Sequence, residues 1–93
     1  MTEEKLLLED IRVIDAASFI AGPAAATIMS DYGAEVIKIE PPEIGDSLRW
    51  LISRGRMSEG PENYCWQLTS RNKKSVALNL KDKDAQGILI DLV

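Results

Sequence analysis

The strongest constraint on the fold is a short strand-like segment that follows a glycine and ends at two prolines. Residues 33–42 read GAEVIKIEPP, in which the β-branched residues favour a strand and Pro41 and Pro42 stop it. An earlier stretch, LLLEDIRVID at 6–15, contains another strand candidate that ends at Asp15. Because one helix-length segment separates the two, we expect parallel neighbouring strands joined by a right-handed crossover.

The segment between these strands carries the signals of a helix. Small residues at 16–22 form a turn, and Pro23 suits the first position of a helix, where its missing N–H is no loss. The helix is expected to run to about Tyr32, and Gly33 is the natural residue just beyond its end.

The remaining residues predict a loop, a third strand and a second helix. The Gly- and Pro-rich stretch from 41 to about 62 predicts a loop with one short helical turn near Asp46, which would carry Leu48, Trp50, Leu51 and Ile52. An extended or helical lead-in follows, with alternating Tyr64, Trp66 and Leu68. SVALNL at 75–80 predicts a strand with Val76, Leu78 and Leu80 on one face, and a helix from about residue 84 would be capped by Asp82 or Asp84. These elements predict an α/β fold with a parallel sheet.

The last helix presents apolar residues at helical spacing, namely Ile88, Leu89, Leu92 and Val93. Three strands and two helices would leave a sheet with open edges and an uncovered face. We therefore expect residues 1–93 to be the N-terminal piece of a larger protein. The alternative is a complete small protein that covers this stripe by oligomerising.

The amino-acid composition excludes several kinds of catalytic and metal-binding site. The 93 residues include no His and one Cys, which excludes Ser-His-Asp and Cys-His catalysis, an internal disulfide and, in practice, a zinc site. No apolar run reaches the roughly 18–20 residues that a membrane span needs. The acidic N-terminus has no signal-peptide pattern, so a cytoplasmic protein without a membrane partner is the simplest expectation.

A dinucleotide site is one interpretation of the acid that ends the second strand. Glu40 stands where a ribose ligand is found in nicotinamide-binding folds. The phosphate cradle of such folds needs three glycines in the first turn, but ASFIAGPAAA contains only Gly22, and Pro23 removes an N–H. Glu40 and Asp15 are therefore predicted to be structural caps or ion-pair partners.

The charges are unevenly distributed along the chain. Residues 1–48 hold ten acidic and three basic residues, whereas residues 49–93 hold five acidic and eight basic ones. Cations lie on both sides of the third strand candidate and in the long loop, at Arg49, Arg54, Arg56, Arg71, Lys73, Lys74, Lys81 and Lys83. A local basic patch on an acidic chain favours a small phosphate-bearing ligand over a nucleic acid.

The order and spacing of several segments resemble one known family. LEDIRVIDAASFIAGPAAATIMSDYGAEVIKIEPPEIGDSLR, followed by SRNKKSVALNLKDKDAQGILIDLV, is similar to the N-terminus of the class III coenzyme A transferases of the CaiB/BaiF type. The combination of AGP, GAEVIKIEPP, GD-x-x-R and S-V-A-L-x-L-K carries the resemblance, which is weakest from about 50 to 64.

The resemblance implies a fold and a reaction. Residues 1–93 would be the N-terminal part of a large α/β CoA-binding domain with a Rossmann-like parallel sheet, in a protein whose two subunits interlock as a homodimer. The family moves CoA from an acyl-CoA to a free carboxylic acid through aspartyl anhydride and thioester intermediates. CoA is then a substrate and no cofactor is bound permanently. The nucleophilic aspartate would lie beyond Val93, so no catalytic residue is assigned and the isolated chain is expected to be inactive.

The resemblance also implies CoA contacts, residue by residue. The turn before AGP would approach the thioester end of CoA, and here it holds Phe19, Ile20 and Ala21; some members have glutamine where this chain has Ile20. The L-D-L-K segment would border the adenosine and phosphate end, and here it is Leu78, Asn79, Leu80 and Lys81. Lys73 and Lys74 match a Lys-Arg pair, and with Arg71 they are expected to meet phosphate.

Two other functions stay open at this point. An α-methylacyl-CoA racemase has the same fold and needs no acceptor acid. A short CoA-binding or assembly subunit without catalytic activity would explain the apolar stripe of the last helix.

Overall fold

The computed structural model describes residues 5–50, 55 and 63–93. Within them lie three strands and three α-helices, together with one 3-10 turn: β1 Arg12–Asp15, α1 Ala21–Asp31, β2 Glu35–Glu40, the 3-10 turn Ser47–Trp50, α2 Tyr64–Ser70, β3 Lys73–Ala77 and α3 Lys83–Leu92. Leu51, Ile52, Arg54 and Arg56, for which roles were predicted, lie outside the described residues. None of the described helices is long and apolar enough to cross a bilayer.

The three strands form one parallel sheet in the order β1-β2-β3. Val36 pairs with Val13 on one side and with Lys73 on the other, and Glu40 pairs with Ala77. The predicted α/β class and the parallel pairing of the first two strands are confirmed.

Strand β2 is central, and helices cover both of its faces. Val36 packs in a cluster with Ala26 of α1, whereas Ile37 and Ile39 point to the opposite face and pack with Ala85 of α3. Because successive side chains alternate between the two covered faces, nearly every residue of β2 is buried. The buried charged residues of this strand, Lys38 and Glu40, therefore need partners of opposite charge.

Helix α1 begins at Ala21, two residues earlier than predicted, and Ala24 N–H donates to the Ile20 carbonyl. Pro23 therefore lies inside the first turn, where a backbone donor is still not required. At the other end Gly33 has φ +103°, and a Cβ there would lie 2.7 Å from the Leu6 Cβ. The prediction that Gly33 follows the helix end is confirmed.

The second half of the chain differs in detail from the prediction. The lead-in is a helix, α2, whose N-cap Asn63 accepts a hydrogen bond from Trp66 N–H. Strand β3 spans residues 73–77 rather than 75–80. It ends early because the chain turns at Asn79, whose carbonyl accepts from Asp82 N–H, and Leu80 leaves the sheet. Asp82 is the N-cap of α3, which confirms one of the two predicted alternatives, Asp82 and Asp84.

Candidate functional site

A cleft of about 430 Å³ lies where the carboxyl ends of the three strands meet. This edge is where open α/β sheets bind their ligands. The segment after each strand contributes to the lining, which consists of Ala16, Ala17, Ser18, Ile39, Glu40, Pro41, Ile44, Gly45, Asp46, Ser47, Leu78, Asn79, Leu80 and Lys81.

The cleft has an apolar floor and a lysine, Lys81, in its lining. Ile39 and Leu78 are buried in the core beneath it, and Leu80 is partly exposed at its side. The Asn79 side-chain oxygen accepts a hydrogen bond from Lys81 N–H at 3.2 Å, which shapes the loop that carries the lysine. Lys81 is exposed and has no ion-pair partner among the residues that the structure describes. Its ammonium is therefore available to an anion in the cleft.

The Glu40 carboxylate lies in the cleft wall, but all of its accepting positions are engaged. Oε1 accepts from Arg49 Nε at 2.7 Å and from Asp46 N–H at 2.9 Å, and Oε2 accepts from Arg49 Nη2 at 2.8 Å and from the Ser75 hydroxyl at 2.7 Å. The hydrogen bonds from Arg49, above all, lower the pKa of Glu40 from 4.5 to about 2, while burial opposes this effect. Glu40 is thus a structural ion-pair partner, as predicted, and not a ribose ligand.

The GD-x-x-R pattern has a structural explanation. The Arg49 guanidinium lies 3.9 Å from the centre of the Trp66 ring and forms a cation–π contact that fixes its orientation towards Glu40. Gly45 has φ +67°, and a Cβ there would lie 2.9 Å from Arg49 Cδ. A larger residue at position 45 would displace the arginine from the carboxylate.

Four charged side chains form a buried charge cluster beside the cleft: Asp15, Lys38, Asp46 and Lys73, each with 2% side-chain exposure. Lys73 Nζ lies 2.8 Å from Asp15 Oδ2, and Lys38 Nζ lies 2.9 Å from Asp46 Oδ2. Lys38 Nζ is also 3.8 Å from Asp15 Oδ2, which links the two pairs. Opposite charges balance within the cluster, and this balance is the condition for burying them.

The buried charge cluster holds the β1–α1 turn, residues 16–20. Asp15 Oδ1 accepts from Ala17 N–H at 3.2 Å, and Lys38 Nζ donates to the Ala17 carbonyl at 3.4 Å. Both carboxylate oxygens of Asp46 lie close to Phe19 N, at 3.1 and 3.2 Å. Phe19 itself has φ +71°, a conformation that is unusual for a bulky side chain. Charged groups from three other segments therefore fix the backbone of this turn.

Seven of the ten predicted CoA contacts fall into two groups. Phe19, Ile20 and Ala21 lie at the turn and at the start of α1, where the side chains of Phe19 and Ile20 are about half exposed. The second group lines the cleft and consists of Leu78, Asn79, Leu80 and Lys81. The cleft itself is lined by Ser18, which directly precedes the first group.

Lys73 does not extend to the surface, which corrects the expectation that it meets phosphate. Its Nζ donates to Asp15 Oδ2, to the Pro23 carbonyl and to the Thr69 carbonyl, all at 2.7–2.8 Å. All three donors of the ammonium are used inside the protein. Because position 73 pairs with Val36, its side chain lies on the face of the sheet that α1 covers.

Arg71 and Lys74 lie at the amino end of β3, the opposite edge of the sheet from Lys81. The Arg71 guanidinium pairs with Asp31, and the Lys74 ammonium lies 3.1 Å from Glu35 Oε2. Both cations are exposed, and their contact with phosphate stays a prediction. The structure does not bring them together with Lys81.

Sequence reasoning missed the roles of Lys38 and Asp46. The sequence pattern predicts Lys38 only as a strand residue and Asp46 as the start of a helical turn. The available signal was the surroundings of Lys38 in VIKI: a strand buried on both faces cannot leave a lysine without an anionic partner.

Comparison with known proteins identifies the family. A model of CoA-transferase family III matches residues 8–93. The chain is 43% identical over 88 residues to the cinnamoyl-CoA:phenyllactate CoA-transferase of Clostridium sporogenes, covering 94% of this chain and 21% of that protein. It is 39% identical over 87 residues to the succinyl-CoA–D-citramalate CoA-transferase of Chloroflexus aurantiacus, covering 92% and 21%.

Solved structures agree with the sequence matches. The crystal structure of a variant of Rv3272 from Mycobacterium tuberculosis superimposes with a TM-score of 0.78 at 29% identity, over 96% of this chain and 23% of that one. A CaiB/BaiF family protein from Brucella suis gives a TM-score of 0.76 at 26% identity, over 96% and 24%. The chain spans about a fifth of the length of the curated relatives it matches. By its sequence and its fold, it belongs to CoA-transferase family III.

Proposed function

We propose that residues 1–93 form the N-terminal part of the large α/β CoA-binding domain of a CoA-transferase. The protein would move CoA from an acyl-CoA to a free carboxylic acid. The observation that carries the proposal is the cleft at the carboxyl ends of β1, β2 and β3, with its apolar floor and the Lys81 ammonium at its rim. A ligand that combines apolar segments with phosphates matches this division.

The two groups of predicted contacts would bind opposite ends of CoA. Lys81 would donate to a phosphate, and the apolar side chains of Leu78 and Leu80 would contact the uncharged part of the nucleotide end. The β1–α1 turn, with Phe19 and Ile20, would face the thioester end. Arg71 and Lys74 would meet phosphate only if CoA also reached the opposite edge of the sheet.

The nucleophile would be a carboxylate outside residues 1–93. The acids in and around the cleft are poor candidates, because the oxygens of Glu40, Asp15 and Asp46 already accept hydrogen bonds from buried donors. A nucleophilic carboxylate needs an accessible oxygen with a lone pair directed at the substrate.

The reaction would proceed by covalent catalysis. The carboxylate attacks the thioester carbon, the C–S bond breaks, and the CoA thiolate leaves a mixed anhydride behind. The thiolate then attacks the enzyme acyl carbon, which releases the donor acid and forms an enzyme–CoA thioester. The acceptor carboxylate displaces the thiolate to give a second anhydride, and the thiolate attacks the acceptor acyl carbon, which regenerates the enzyme carboxylate. An interlocked homodimer is the assembly in which we expect this to occur.

The test is a CoA-transfer assay on the full-length protein, run with and without an acceptor carboxylic acid. Succinyl-CoA and cinnamoyl-CoA serve as donors, and D-citramalate, L-malate and phenyllactate, which are named in the relatives, serve as acceptors. Mass spectrometry should detect a new acyl-CoA that forms only when both donor and acid are present. Epimerisation of a chiral 2-methylacyl-CoA, incubated separately without added acid, or no binding of CoA by calorimetry, would contradict the proposal.

A further inference from the structure

The β1–α1 turn is held more firmly than its length requires. In a turn of five residues, three backbone groups are bonded to charged side chains: Ala17 N–H, Ala17 C=O and Phe19 N–H. Gly22 adds a steric restraint, because a Cβ there would lie 2.3 Å from Ala17 Cβ. The turn is therefore packed directly against the first turn of α1.

Two features of this arrangement oppose folding. Burial of four charges is costly, and such clusters are often replaceable by apolar residues without loss of stability. A bulky residue in the left-handed region is strained, and such strain is found at functional sites. Neither the buried charges nor the strained Phe19 backbone is needed to connect a strand to a helix. The arrangement is therefore better explained by a function of the turn than by stability of the fold.

We infer that Asp46, with Lys38 as its counter-charge, is a positioning residue for acyl transfer. Asp46 accepts from Phe19 N–H, and Lys38 holds Asp46 at 2.9 Å. Together they fix the backbone of the turn at Ala17 and Phe19, on either side of Ser18 in the cleft lining. The inference rests on the proposed function, in which this turn faces the thioester end of CoA.

Loosening the turn should affect the rate of acyl transfer but not the affinity for CoA. Lys81 lies on a different loop, and among the described residues no hydrogen bond or ion pair links it to the buried charge cluster, so the nucleotide end of CoA should still bind when the turn is loosened. The reacting end should then be misplaced. Small misplacements of reacting groups cost about a hundredfold in rate.

The experiment uses three variants of the full-length protein. Asp46→Asn keeps one acceptor for Phe19 but places an amide against the Lys38 ammonium. The double variant Lys38→Met with Asp46→Leu removes both charges and so leaves no buried charge unbalanced. Glu35→Gln is the control, because Glu35 is an exposed carboxylate that pairs with cations at the opposite end of the same strand.

Three quantities are measured: kcat with the donors and acceptors of the transfer assay, the dissociation constant for CoA, and amide hydrogen exchange of the peptides covering residues 16–22 and 83–92. For Asp46→Asn we expect kcat to fall about tenfold to a hundredfold, a change in the CoA dissociation constant of less than about threefold, and faster exchange at 16–22 alone. The double variant should recover thermal stability without recovering kcat. Glu35→Gln should behave as the wild type.

The possible failures are distinguishable. Equal acceleration of exchange in both peptides, or recovery of kcat in the double variant, would show that the cluster serves only stability and would overturn the inference. Unchanged kcat in Asp46→Asn would overturn it as well. Absence of transfer by the wild-type protein would instead overturn the proposed function, and with it the catalytic role of the turn.

Discussion

Arg49 binds the Glu40 carboxylate through two parallel hydrogen bonds, Nε to Oε1 at 2.7 Å and Nη2 to Oε2 at 2.8 Å. The carboxylate is almost completely buried, and the arginine stacks on Trp66. This pair connects the end of β2 to the loop that carries Asp46, whose N–H also donates to Glu40. The cleft wall therefore depends on a charge that must stay ionised.

This dependence predicts a loss of stability in acid. The pKa of Glu40 is about 2 in the folded protein, whereas the ordinary value for a glutamate is 4.5. A lowered pKa stabilises the fold at pH values above 4.5, and the stabilisation is lost as the pH falls from 4.5 towards 2. It amounts to at most about 3 kcal/mol. Urea unfolding at several pH values would measure it, and a free energy of unfolding that is constant over this range would contradict the prediction.

Neutralising the same side chain should be costly at neutral pH. Glu40→Gln removes the charge-assisted hydrogen bonds with Arg49, and we expect a loss of about 2–3 kcal/mol in the free energy of unfolding. The control is Glu35→Gln on the same strand. Glu35 also pairs with an arginine and a lysine, which lower its pKa, but it is open to solvent, so its loss should matter little. Similar effects of the two substitutions would argue against the buried ion pair.

Two glycine substitutions should have opposite effects. Gly22→Ala would place a Cβ 2.3 Å from Ala17 Cβ, in a turn whose backbone is fixed, and we expect a loss of about 1–3 kcal/mol. In the described part of the chain, a Cβ at Gly87 of α3 would meet no atom within 4 Å, so Gly87→Ala should gain about 0.5–1 kcal/mol from helix propensity. Thermal unfolding of both variants checks the packing of the turn, and a tolerated Gly22→Ala would count against it.

Lys81 is expected to contribute directly to CoA affinity. Lys81→Ala should weaken CoA binding by about fivefold at low salt, because one exposed charge-assisted contact contributes about 1 kcal/mol. The effect should shrink as salt is added. Lys83→Ala is the matched control, since Lys83 is exposed two residues further on and does not line the cleft. Calorimetry measures both, and an unchanged dissociation constant for Lys81→Ala at low salt would remove Lys81 from the site.

The first half of the fold was predictable because local signals agreed. Pro41 ends β2, Gly33 follows the end of α1, and the helix pattern before Gly33 does not compete with the strand pattern after it. The end of β3 was missed because SVALNL continues to alternate beyond residue 77, whereas the chain turns to let Asp82 cap α3. Periodicity alone does not register such a turn.

The site was only partly predictable, because its charges pair across large sequence separations. Lys73 and Lys74 are identical residues side by side, yet one is buried against Asp15 and the other is exposed beside Glu35. A strand directs successive side chains to opposite faces, so adjacent lysines cannot share one role. The pairing of Asp46 with Lys38 and Phe19 depends on where the loop returns, which no local pattern specifies.

The most direct test of the account is a crystal structure of the full-length protein with CoA. We expect CoA in the cleft at the carboxyl ends of the strands, with a phosphate within hydrogen-bond distance of Lys81 Nζ and the sulfur towards residues 19–21. The buried charge cluster should be unchanged in the complex. CoA bound at the opposite edge of the sheet, near Lys74 and Glu35, or bound without contact to residues 16–21 and 78–81, would contradict the account.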